Sequence, residues 1–63
     1  MIIDSTPLRI GIIAGEMSGD LLGAGVMAAI RKRRPNVQFV GIGGPAMVRE
    51  GLDALYAMDR LAV

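Results

Sequence analysis

The sequence predicts an α/β fold, a Rossmann-like parallel sheet of which it supplies a first β-α-β-α-β portion. Two observations lead there. The uncharged run Ile10–Ala14 passes through a glycine turn into a helix-period segment, and a second apolar run from Val37 ends in another glycine turn. Strands that alternate with helices in this way form βαβ units, with parallel strands and right-handed crossovers.

Residues 1–7 read as a leader, and 8–63 as one incomplete amino-terminal domain. Pro7 biases Thr6 towards an extended backbone. The segment from Leu8 to Ala14 is the first strand, and its β-branched character suits a strand covered on both faces. Gly15 to Gly19 is a turn, with Ser18 as the expected N-cap and Asp20 in the first helical turn, at the positive end of the helix dipole. From Asp20 to Arg34 the pattern is helical. Leu22, Val26 and Ile30 recur on one stripe, and no charge appears between Leu21 and Ile30, so more than one neighbour should cover this helix. Gly23 and Gly25 each cost roughly 1 kcal/mol of helix propensity, which close approach of the helix to the sheet would offset. The run Arg31-Lys32-Arg33-Arg34 closes the helix, and Pro35 follows it. Val37 to Ile42 is the second strand. Pro45 and Gly51 bracket a short helix over Ala46 to Glu50, Leu52 to Tyr56 forms a short third strand, and Met58 to Val63 begins another element.

Composition narrows the function. With 52% hydrophobic and 21% charged residues, the chain is too apolar for a disordered segment. At 63 residues it is small, and a chain of about 60 residues buries only about 60% of its surface; it reads as a piece of something larger. It has no cysteine and no histidine, so disulfides, zinc clusters and nucleophile–base sets built on those residues are excluded. The carboxylates are scattered, and neither a metal site nor a cofactor is expected. No apolar run reaches the roughly 20 residues of a membrane span, and no secretion signal is read at the start. The basic run has no interleaved aromatics of the kind that stack bases, so nucleic acid is not an expected partner. Arg31, Lys32, Arg33 and Arg34 either complement the helix dipole or meet anionic lipid.

The informative feature is Gly15-Glu16-Met17-Ser18-Gly19-Asp20, at the carboxyl end of the first strand, where open α/β sheets place ligands. It is neither the dinucleotide fingerprint nor a Walker loop, because carboxylates stand where those motifs need glycine or lysine. Glu16 and Asp20 would repel a bare phosphate, whereas sugar hydroxyls or a bridging cation suit them. Two readings stand side by side: Ser18 and Asp20 cap the helix, or Gly15, Glu16, Ser18, Gly19 and Asp20 contact a substrate. Gly43-Gly44-Pro45 likewise is either turn geometry or a second wall of the same cleft, through Gly43 and Gly44. No catalytic residue is assigned.

The run from Ile12 to Gly25, with Gly-Glu-x-Ser-Gly-Asp followed by Gly-Ala-Gly, resembles the amino-terminal signature of the lipid-A-disaccharide synthase family. So do Pro35-Asn36, Phe39 to Met47, the Glu50-Gly51 step and Leu61-Ala62-Val63. Met17 departs from the small residue expected at its position. The resemblance implies the two-domain GT-B glycosyltransferase fold, with this chain as the first part of the amino-terminal domain. It implies an inverting transfer of diacylglucosamine from UDP-2,3-diacylglucosamine to 2,3-diacylglucosamine 1-phosphate, giving the β-1,6 lipid A disaccharide and UDP. It also implies a cytoplasmic enzyme, peripheral on the inner face of a Gram-negative inner membrane. The family's general base and UDP pocket would lie beyond Val63, so the chain alone is expected to be inactive. By the same resemblance Glu16, Ser18, Gly19 and Asp20 line the cleft and position sugar or phosphate groups. The alternatives are a non-catalytic Rossmann-like binding or structural module and another GT-B enzyme such as a UDP-sugar epimerase. An uncovered sheet edge would favour self-association of the chain.

Overall fold

The computed structural model describes residues 8–58. The elements alternate as expected: β1 (Arg9–Ile13), α1 (Met17–Arg33), β2 (Gln38–Gly43), α2 (Pro45–Arg49) and β3 (Leu52–Ala57). The three strands form one parallel sheet in the order β1-β2-β3. Ile10 pairs with Phe39 and Ile13 with Ile42, while Phe39 pairs with Leu52 on the other side. The leader over 1–7 and the element expected to follow Met58 lie outside the described residues.

The core is built on one face of the sheet. Ala14, Met27, Val37, Phe39, Met47 and Leu52 are buried together, with Ile10, Ile12, Ala24 and Ile30 packed against them. Met27 of α1 and Met47 of α2 are fully buried, so the two helices meet over the same side of the sheet. Unbranched, polarizable methionine fills the irregular gap between two helices and a twisted sheet. On the opposite face Ile13 is 71% exposed, because no element of the described residues covers that side. The covering of the first strand on both faces expected from its composition is therefore not met within them.

Two strand glycines carry geometry. Gly41 adopts φ +152°, and a side chain there would run into the backbone carbonyl oxygen of Ile12. The register of β2 against β3 slips between Gly41 and Ile42, an irregularity that a residue without Cβ absorbs. Gly51 adopts φ +101° and turns the chain from α2 into β3, as a glycine after a helix end does.

The long helix differs from expectation in three respects. It starts at Met17, with Glu16 as N-cap and no side-chain capping bond; Ser18 therefore stands inside the first turn and caps nothing. Its inward stripe is Asp20, Gly23 and Met27, while Leu22 and Val26 of the expected stripe are exposed. The helix is apolar on several stripes at once, and the smallest side chains admit the closest neighbour, which selects the Gly23 side. Finally, a Cβ on Gly23 would lie 2.7 Å from the Met47 sulfur, whereas one on Gly25 would meet nothing within 4 Å. The close approach is thus to α2, not to the sheet, and it involves only one of the two glycines.

Candidate glycine-loop cleft

β1 and β2 are adjacent and parallel, so their carboxyl ends deliver two turns side by side, residues 14–16 leading into α1 and Gly44 leading into α2. The amide of Ala14 donates to the carbonyl of Ile42 at 2.8 Å, which carries the sheet ladder right up to the turns. Packing also holds α1 close, because a Cβ on Gly19 would sit 3.4 Å from that of Ala14.

The first turn presents its polar groups outward. Gly15, Glu16 and Ser18 are exposed, and Gly19 is half-buried. Glu16 has extended backbone (φ −140°, ψ 160°) and its carbonyl accepts the Asp20 amide at 2.9 Å. Among the described residues no side chain caps α1, and its first amides lie beside the exposed Glu16 and Ser18. That rim combines anion-favouring N–H groups with one carboxylate and one hydroxyl, a set suited to a polyhydroxylated ligand.

Asp20 belongs to the same motif but faces the other way. It is 2% exposed, and its carboxylate accepts three backbone amides: Gly44 at 2.9 Å, Ala46 at 3.0 Å and Met47 at 2.9 Å. Burial pushes its pKa up, but those hydrogen bonds, from Met47, Ala46 and Gly44, and the charge of Arg49 outweigh this and hold it below the usual carboxylate value. Asp20 therefore caps the second helix, in trans from the first. Its oxygens are occupied by the protein's own amides, and of the two readings of the residue the geometry favours the capping one, with a different helix as its object.

Gly43 and Gly44 are buried. A Cβ on Gly44 would lie 2.7 Å from Asp20 Oδ2, and one on Gly43 would lie 2.6 Å from the Met47 sulfur. These glycines make room for neighbours. They also border a largely apolar concavity of about 520 Å³ between α2 and β3, with Pro45, Val48, Leu55 and Tyr56. The exposed rim residues Glu16 and Ser18 do not line that concavity. The structure thus joins the two turns through Asp20 but does not place Glu16, Ser18, Gly43 and Gly44 around one cavity.

Two links escaped sequence reasoning. The capping role of Asp20 had a signal: α2 begins Gly44-Pro45 with no Ser, Thr, Asp or Asn to satisfy its first amides, so an acceptor had to come from elsewhere. The other link is Arg31, which leaves the basic run to donate to the Glu50 backbone carbonyl and, at 3.3 Å, to Glu50 Oε1. Its guanidinium also lies 5.7 Å from the centre of the Phe39 ring. Lys32, Arg33 and Arg34 remain exposed. Among the described residues, no cluster of acidic side chains could hold a metal ion, and no helix is long and apolar enough to cross a membrane.

Comparison with known proteins adds a family. Residues 10–63 match the family model described as Lipid-A-disaccharide synthetase. Among curated proteins, the lipid-A-disaccharide synthase of Idiomarina loihiensis is 61% identical over 57 residues, which cover 90% of this chain and 15% of that protein. Its counterpart in Vibrio parahaemolyticus is 60% identical over 57 residues, with the same coverage of each. That of Pseudomonas syringae pv. tomato is 51% identical over 59 residues, 94% of this chain and 16% of the relative. The chain spans about 15% of the length of these curated relatives.

Proposed function

Because the chain belongs to the lipid-A-disaccharide synthetase family, we propose that it forms part of the amino-terminal Rossmann-like domain of an inverting hexosyltransferase. The full enzyme joins UDP-2,3-diacylglucosamine to 2,3-diacylglucosamine 1-phosphate and releases the β-1,6-linked disaccharide and UDP. The family match over residues 10–63 carries this reading. The geometry supports it through the exposed rim of Glu16 and Ser18 at the carboxyl end of β1, where α/β sheets bind ligands. In this reading Glu16, Ser18 and the first amides of α1 hold sugar hydroxyl or phosphate groups of a substrate. No proton transfer falls to them. The base and the UDP site come from the rest of the enzyme, so this chain alone is inactive.

The same proposal places the enzyme on the cytoplasmic face of the inner membrane as a peripheral protein. The exposed cations Lys32, Arg33 and Arg34 at the end of α1 are of the kind that contribute roughly 1 kcal/mol each near an anionic bilayer.

The test is a chimaera in which this chain replaces the matching segment of the Idiomarina loihiensis relative, assayed for UDP release from the two acylated substrates. The chimaera should be active. The variants Glu16→Gln and Ser18→Ala should raise KM roughly tenfold, the worth of about one lost hydrogen bond to a charged or polar partner. An inactive but folded chimaera would sink the reading, and unchanged KM values would remove the two side chains from the substrate site.

A further inference from the structure

We propose that Asp20 is a positioning residue, which sets the Gly43–Pro45 turn against the exposed Glu16–Ser18 rim by holding the backbone of Gly44, Ala46 and Met47. This role rests on the glycosyltransferase reading of the cleft and adds to it a residue that acts from beneath the surface. The link is direct in sequence as well as in space. Asp20 stands in the first turn of α1, just past the first glycine turn, and its carboxylate reaches the second at 2.9 to 3.0 Å. Among the described residues no other side-chain hydrogen bond joins the two turns.

The fit is reciprocal. A Cβ at position 44 would fall 2.7 Å from Oδ2 and 2.8 Å from the carboxyl carbon of Asp20, so the carboxylate would have to shift from its amides. Gly44, at the N-cap of α2, offers no side-chain acceptor of its own. Remove the carboxylate and three amides at the start of α2 lose their acceptor together, while the first turn loses its side-chain tie to the second. A displacement of about 1 Å in a site that orients substrates can cost about a hundredfold in rate, so a cap of this kind has leverage on chemistry it never touches.

The experiment uses the chimaera described above, with Asp20→Asn, Gly44→Ala and the double variant. Asparagine keeps the shape but turns an N–H2 towards an N–H donor, so it cannot accept all three bonds. We expect Asp20→Asn to lower kcat at least tenfold with KM changed less than threefold, and the double variant to be no worse than the poorer single one. A core variant away from the turns, Phe39→Leu, supplies the control for lost stability. The role is overturned if activity loss in Asp20→Asn follows the fall in Tm as it does in Phe39→Leu, or if the Asp20 and Gly44 effects multiply. A rise in KM alone also overturns it, since that marks a substrate contact. If the unsubstituted chimaera is inactive, the glycosyltransferase reading falls and the role falls with it. An active chimaera whose Asp20→Asn variant keeps full kcat removes the role alone.

Discussion

Asp20 is where one side chain decides most. Its carboxylate stays charged in a buried place because three amides and the charge of Arg49 outweigh the cost of burial. The sign of the pH effect follows. A carboxyl group whose folded pKa lies below its unfolded value of about 3.9 adds stability above that value and loses it as pH falls through the folded one. The unsubstituted protein should therefore lose this contribution progressively below about pH 4. Asp20→Asn should show a lower urea midpoint at neutral pH, and the gap between the two proteins should close as the pH drops. Equal midpoints at neutral pH would contradict the capping role. The motif around Asp20 was legible as a turn feeding a helix, and the carboxylate as a helix cap. Which helix it caps was not legible, because a bond across 24 to 27 positions leaves no local pattern.

At the scale of elements, the alternation of strands and helices was legible because period and turn residues agree along the chain, as at Pro45 and Gly51. The inward face of α1 was not. Leu22 and Val26 lie on a stripe as regular as Asp20, Gly23 and Met27, and the close approach of α2 at Gly23 chooses between them. Arg31 ties the end of α1 to the end of α2, and here two interactions of unequal worth overlap. The Arg31 and Glu50 side chains are about one-third exposed, and a pair so exposed contributes about 0–1 kcal/mol. A guanidinium on a backbone carbonyl with an aromatic ring beneath it contributes more, about 1.5–3 kcal/mol for the charged hydrogen bond. Glu50→Gln should therefore cost less than about 1 kcal/mol, because the carbonyl stays in place. Arg31→Ala should cost about 2 kcal/mol, with both read from denaturant midpoints. Equal losses would mean that the side-chain ion pair dominates.

For the whole molecule, the question is what the bare side of the sheet does. Both helices meet over one face, which leaves Ile13 on the other at 71% exposure beside the partly covered Ile42. Within the described residues β1 and β3 are also both edge strands. An open edge next to uncovered apolar side chains is a template for another strand. A side chain such as isoleucine gains roughly 1.5–3 kcal/mol when fully covered. In a longer relative the rest of the polypeptide can supply that cover. No element of the described residues supplies it, and in the isolated chain a second copy can. Sedimentation velocity on the isolated chain should therefore show association that grows with concentration. Ile13→Lys, which puts a charge on the bare face at the β1 edge, should shift it towards monomer, whereas Lys32→Gln on the far end of α1 should not. In the chimaera the same Ile13→Lys should lower Tm without changing the oligomeric state. That contrast separates a face filled by the enzyme's own chain from one that pairs copies, and a monomeric isolated chain at all concentrations would rule out the second.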